Sequence, residues 1–186
     1  MSFLLTLSKF ERGISVKARK LLAVIAVICL PFSGALPAEA ASTNPYGTST
    51  VDPAGPNEII LVISKGNRKV EFAYPRLLKM KQQSITIYEP FLKKRQTFSV
   101  IPLKTLFTFV GIKDGDKVVT TALNDYIYTN TAAQFIAADG YLAIKRDGIA
   151  IGYDQGGPIR IIYPNKSKWA KNLDAWNWSL SSIKVK

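Results

Sequence analysis

A chain of 186 residues with no histidine and a single cysteine has no means of building a Ser-His or Cys-His pair, an imidazole metal centre or an internal disulfide. Its 25 basic and 13 acidic groups give a formal charge of +12, and 47% of its residues are hydrophobic, which suits one domain with a sizeable core plus a tail.

The first forty residues hold five basic groups, Lys9, Arg12, Lys17, Arg19 and Lys20, against Glu11 and Glu39, leaving 20 basic and 11 acidic groups, a charge of +9, for the remainder. A basic region ending at Lys20, an apolar run from Leu21 to Leu30, a break at Pro31 and Gly34, and Ala38-Glu39-Ala40 before Ala41 have the layout of a secretory signal. Cleavage is expected after Ala40, which places the mature protein in the periplasm. The rival is a retained anchor, but about ten apolar residues rise only about 15 Å as a helix, half of a bilayer core, so no transmembrane anchor is expected after cleavage. A lipoprotein signal at Cys29 would want a small residue where Ile28 stands. Loss of Cys29 with the signal leaves a mature chain without thiols, held together by its core alone.

Residues 41–57, rich in Ser, Thr, Asn, Gly and Pro, read as a flexible leader, and the domain as 58–186. The apolar run from Ile59 to Ser64 predicts a strand, Lys65-Gly66-Asn67 a turn, and Lys69 to Phe72 a second strand. Tyr74-Pro75 stops it, and Arg76 to Met80 is expected as a short helix with proline near its first turn. Ser84 to Tyr88 alternates like a half-buried strand and ends at Glu89-Pro90. The segment from Phe91 to Ser99 carries the charge run Lys93-Lys94-Arg95, a solvated loop rather than a nucleic-acid surface, which would need aromatic residues interleaved on one face. Pro102 to Gly111 predicts a helix with Leu103, Leu106, Phe107 and Val110 on one core-facing stripe. Lys117 to Leu123 reads as a strand, Asn124-Asp125 as the turn of a hairpin into Tyr126 to Thr129, and Thr131 to Ala137 as either a short helix or a single turn. Tyr141 to Ile144 and Ile149 to Ile151 are apolar around the turn Arg146-Asp147-Gly148. Gly156-Gly157-Pro158 then forces a turn into a β-branched run, Ile159 to Ile162, and an aromatic-rich strand containing Trp176 and Trp178 closes the chain.

This order of motifs resembles the small exported members of the molybdopterin-binding oxidoreductase domain family, which has the sulfite oxidase fold. The matching positions are Pro102, Leu103, Leu106, Gly111 to Lys113, Leu123 to Tyr126, Asp147-Gly148, Gly157-Pro158, Ile162 to Pro164, and Trp176, Trp178, Leu180, Ile183 and Val185. The resemblance implies an α+β domain of mixed β-sheets with short peripheral helices. In catalytic members molybdenum is bound through a pterin dithiolene and one protein cysteine, on the strand before the Pro-Leu-x-x-Leu helix. The corresponding stretch here, Ser84 to Glu89, has Tyr88 or a neighbour in that place, and a phenolate with a pKa of about 10 is a hard oxygen donor, unlike a soft thiolate. Catalytic relatives also place a lysine immediately before the tryptophan of the final strand to meet the cofactor phosphate, whereas Ala175 and Asn177 precede Trp176 and Trp178 here.

The residues themselves assign no catalytic group, no metal ligand and no cofactor; molybdopterin enters only through the resemblance. The candidate ligand-binding residues are Arg160, Lys166, Lys168, Trp169, Trp176 and Trp178. Arg160 sits alone in an apolar run, where a charge needs a partner. Either it alternates with its neighbours near a sheet edge or pairs with an aspartate, or it faces an anionic ligand, whose phosphate or carboxylate its planar fork can grip in two places. Lys166, Lys168 and Trp169 belong to a basic loop that is either solvated or ligand-binding, and of Trp176 and Trp178 at least one is expected in the core. The function this predicts is a non-catalytic binding module for a small anionic or planar ligand, or for a periplasmic or membrane partner protein. The alternative is a molybdopterin-dependent periplasmic oxidoreductase whose metal is held without a protein thiolate.

Overall fold

The computed structural model describes residues 54–186. The expected signal segment and its cleavage site lie outside the described residues, as does all of the leader but 54–57. That remnant forms a turn, with Glu58 N donating to Gly55 O at 3.1 Å and Gly55 N to Glu58 Oε2 at 3.0 Å, and Ala54 packs on the core.

Ten strands form two five-stranded sheets with few short helices, an α+β architecture. The first sheet has the order β2-β1-β10-β5-β6 and is mixed. In it β1 (Ile59–Lys65) pairs antiparallel with β2 (Arg68–Ala73) and parallel with β10 (Leu180–Val185), while β10 pairs antiparallel with β5 (Lys117–Ala122), and β5 with β6 (Ile127–Thr131). β1 lies inside the sheet between β2 and β10, with Ile60, Leu61 and Ile63 buried and Val62 half-buried, so its apolar run has no fully exposed polar side to alternate with.

The second sheet is antiparallel. Its order is β3 (Gln83–Glu89), β4 (Lys94–Pro102) and β7 (Tyr141–Arg146), and the far edge of β7 is shared end to end by β8 (Ile149–Ala150) and β9 (Arg160–Ile162). Of the segment read as a charged loop, Lys93 lies in the turn before β4, with φ 52°, while Lys94 and Arg95 are the exposed start of that nine-residue strand. Gln96, Phe98 and Val100 point inward from β4, whereas Lys94 and Arg95 extend past the covered part of the sheet. Because β4 intervenes, the stretch 84–89 is not the strand directly before the next helix.

Three helices fill the periphery: α1 (Tyr74–Leu78), α2 (Leu103–Thr108) and α3 (Ala132–Ala137). The apolar stripe expected on the second is buried in full, Leu103, Leu106, Phe107 and Val110 each being at most 2% exposed. The choice left open at 131–137 resolves to a helix because Thr131 caps it, its Oγ1 accepting from Gln134 N at 3.3 Å. Among the described residues no helix is long and apolar enough to cross a membrane.

Candidate functional site: an aromatic cleft over a buried arginine

The segment from Gly152 to Leu180 joins the two sheets. A 3-10 turn at Tyr153–Gln155 ends on Gly156, whose φ of 77° lies in the left-handed region, and Gly157 N donates to Gly152 O at 2.9 Å. A Cβ on Gly157 would stand 2.0 Å from Ile151 O, and one on Gly156 2.3 Å from Trp178 Cε3, so the chain approaches itself here as only glycine allows. β9 follows, pairing Ala143 with Arg160 on one edge. On its other edge Ile161 N donates to Asn177 O at 2.8 Å and Leu180 N to Ile159 O at 3.0 Å. Residues 177–180 therefore act as an extra strand edge for β9 before entering β10.

The final strand begins only at Leu180. Trp176 caps a 3-10 turn at Leu173–Ala175, and Ser179, with φ 49°, bends the chain before β10. Trp176 and Trp178 nonetheless share one neighbour: the Phe91 ring lies 4.7 Å from Trp178 and 6.3 Å from Trp176, edge to face in both cases. Between them Asn177 is fully buried, its amide donating to Thr120 O and Oγ1 at 3.2 Å.

Arg160 is 0% exposed. Its guanidinium carbon lies 4.4 Å from the Trp178 ring centroid and 4.8 Å from that of Phe98, and Nη1 donates to Gln155 O at 3.5 Å. All three residues of β9 are buried, so the alternation that would have placed Arg160 on an exposed edge face is absent. Burial beneath two rings gives the cation an attractive environment, worth more once water is excluded, but it also removes Arg160 from direct reach of a dissolved anion.

The six candidate residues separate into groups. Arg160 and Trp178 stack, and Trp176 joins them through Phe91. Trp169 is instead core, packed edge to face on Tyr128, Phe135 and Tyr163 at 5.4 to 5.6 Å, with its carbonyl accepting from Trp176 Nε1 at 3.2 Å. Lys166 and Lys168 are exposed on the loop; Lys168 Nζ donates to Gln134 Oε1 at 2.5 Å, and neither lysine lines the cleft beside the tryptophans.

That cleft has a volume of about 310 Å³ and is walled by Phe91, Tyr126, Leu173, Trp176 and Trp178, with Asn124 and Asp174 as polar members. Phe91, Tyr126 and Leu173 are each about 40% exposed, unusual for rings and a leucine that meet in one concavity. Tyr126 Oη donates to Asp174 O at 2.9 Å, and burial together with the Asp174 carboxylate and Tyr128 raises its pKa, which keeps the phenol neutral. Phe91 sits in the turn before β4 and Leu173 in a 3-10 turn, so neither carried a periodic signal; Tyr126, read as the first residue of a strand, instead just precedes β6 (Ile127–Thr131), after the hairpin turn in which Asp125 has φ 62°.

In the stretch compared with the metal-binding strand, Tyr88 is 49% exposed. Its backbone is fixed by Asn165 on both sides, N donating to Oδ1 at 2.8 Å and O accepting from Nδ2 at 3.1 Å. The neighbour Glu89 points inward and is fully buried, one carboxylate oxygen accepting from Leu92 N at 2.5 Å. Among the described residues no three His, Cys, Asp or Glu side chains come together as a metal site.

No protein-family model and no curated protein matches this sequence. The fold, however, is similar to that of a chain of the sulfane dehydrogenase SoxCD from Paracoccus pantotrophus, with a TM-score of 0.52 at 14% sequence identity. The match covers 67% of this chain and 37% of the SoxCD chain, so it speaks for a shared arrangement of strands and helices over part of a longer protein.

Proposed function

We propose that residues 58–186 form an exported, periplasmic binding module on the fold of molybdopterin-dependent oxidoreductases, which takes a small planar ligand into the aromatic cleft and performs no redox chemistry of its own. The observation that carries this reading is the cleft itself: three exposed apolar side chains and two tryptophans converge on about 310 Å³, the lower end of the size of a small-molecule site. Flat rings slide between aromatic walls with little loss of side-chain freedom, and Asn124 and Asp174 supply the few polar contacts that orient them. An anionic ligand is disfavoured by the same geometry, since Asp174 lines the cleft and Arg160 lies beneath Trp178.

The residues do not fit molybdopterin as its catalytic hosts hold it. A molybdenum dithiolene wants a soft protein thiolate, and residues 54–186 hold no cysteine, on β4 before the helix or anywhere else; on β3 the inward-facing group is the hard carboxylate of Glu89, with Tyr88 turned to solvent. Glu89 favours the second reading, a metal held without thiolate, only to the extent that one of its oxygens, Oε1, has no hydrogen-bond donor among the described residues.

Two measurements separate the readings. Protein purified from its native periplasm is expected to contain neither stoichiometric molybdenum nor pterin fluorescence; finding both would replace the binding module by the enzyme. Titration of the protein with a free pterin and with indole, followed by tryptophan fluorescence, is expected to show saturable quenching that Trp178→Ala reduces at least tenfold. Equal quenching in the variant would remove the cleft from the proposal.

A further inference from the structure

A larger cleft, independent of the aromatic one, opens between the β1–β2 turn, the loop after α2 and the end of β10. It measures about 830 Å³ and is bordered by Lys65, Arg68, Gly111, Lys113, Asp116 and Lys186. Cations from three segments far apart in sequence meet there. Lys65 and Arg68 flank the tight turn Gly66-Asn67, Lys113 follows Gly111, and Lys186 is fixed by its backbone, N donating to Lys117 O at 3.0 Å. Gly111 has φ 73°, and a Cβ there would come within 3.3 Å of Arg68 Nη1, so the guanidinium lies directly against the backbone of that turn.

The one carboxylate side chain in the cleft is already committed. Asp116 Oδ2 accepts from Lys113 N at 2.7 Å and from Lys65 Nζ, which also donates to Gly111 O at 3.1 Å. These donors hold its carboxyl below the usual carboxylate range, so Asp116 stays ionised and Lys65 balances it. That leaves Arg68, Lys113 and Lys186, none of which is in an ion pair among the described residues. All three are exposed, yet they border the same cleft because two glycine turns and the end of β10 meet there, and like charges gathered at one place repel less when an anion joins them.

We propose that this cleft binds an anion carrying two or more phosphate groups, Arg68 gripping one group in two places and Lys113 and Lys186 supplying point charges. The source is either a free oligophosphate or the headgroups of an anionic lipid surface.

The test is calorimetric titration of the whole protein with tripolyphosphate at low salt, alongside cosedimentation with phosphatidylcholine vesicles with and without phosphatidylglycerol. The variant Arg68→Glu/Lys113→Glu is compared with Lys79→Glu/Lys81→Glu, which makes the same change of net charge at exposed positions outside the cleft. The cleft variant is expected to weaken binding at least tenfold and the control less than threefold, both with unchanged thermal melts. Loss confined to tripolyphosphate identifies a free anion, and loss confined to the vesicles identifies a headgroup. Equal weakening by both variants, or no binding by the unaltered protein in either arm, overturns the proposal. Arg68→Gln, which removes the charge but keeps a polar amide, reports in the same way should the double reversal unfold.

Discussion

Arg160 is a packing residue, which its position in an apolar run did not disclose. Lodged between Phe98 and Trp178, its guanidinium is part of the packing that fixes the Trp178 ring. Arg160→Ala is therefore expected to destabilise the domain by roughly 2–4 kcal/mol, the range for opening a hole in a core and stranding its polar neighbours, and to weaken ligand binding only as a consequence. Denaturant melts alongside fluorescence titration check this; intact stability with abolished binding would instead make Arg160 a ligand contact. Tyr153 gives a pH signature. Burial, and after it the hydrogen bond to Glu58 Oε1 at 2.9 Å, push its phenol up to about 12. A raised folded value means the neutral form is favoured in the native state, so this contribution is intact below about pH 10, the ordinary tyrosine value, and is lost as pH climbs through 12. Absorbance at 295 nm is expected to show Tyr153 ionising late, together with the fully buried Tyr163, whose phenol burial also pushes well up, and Tyr153→Phe is expected to remove one late-ionising phenol while leaving that of Tyr163.

At the level of elements, the glycine pair before β9 determines where the cleft wall stands. Gly156→Ala forces a side chain into Trp178 from a left-handed backbone position. A loss of about 1–3 kcal/mol is expected from strain and displacement together, with a blue or red shift of tryptophan emission as Trp178 moves; an unchanged spectrum would mean that Trp178 is not held by this contact. These elements also show what could be read in advance. The α2 stripe was legible because four apolar residues at helical spacing meet one core, and the β1–β2 hairpin because its turn residues are local. β4 was not, since its first two residues are charged and exposed even though they pair with β3, and the strand period becomes visible only from Gln96. Nor was the approach to β10: Trp176, Asn177 and Trp178 have the spacing of a strand, but the 3-10 turn before them and the bend at Ser179 are set by β9 alongside, a partner distant in sequence. Of the candidate site, the tryptophans were legible as large rings near a glycine turn, while Phe91 and Leu173 were hidden in turns and Tyr126, read as part of a strand, gave no sign that only tertiary folding brings the three together.

For the whole molecule, the two clefts divide the surface chemistry. The aromatic one contains a carboxylate and no cation, the other three uncommitted cations. Raising salt is accordingly expected to leave pterin or indole affinity within about twofold while it lowers tripolyphosphate affinity steeply, because exposed charges are screened over about 10 Å at 0.1 M salt and ring stacking is not. Parallel titrations at two ionic strengths check this, and an equal response would mean that one site serves both ligands.

The position of β10 has a consequence for the order of events in folding. It is the last strand in sequence, yet it lies in the middle of the first sheet, between β1 and β5. Until residues 180–185 have been synthesised, the β1–β2 and β5–β6 hairpins have no shared strand to join them, and an isolated two-stranded hairpin is marginal in water. The first sheet therefore closes only once β10 is available to both hairpins.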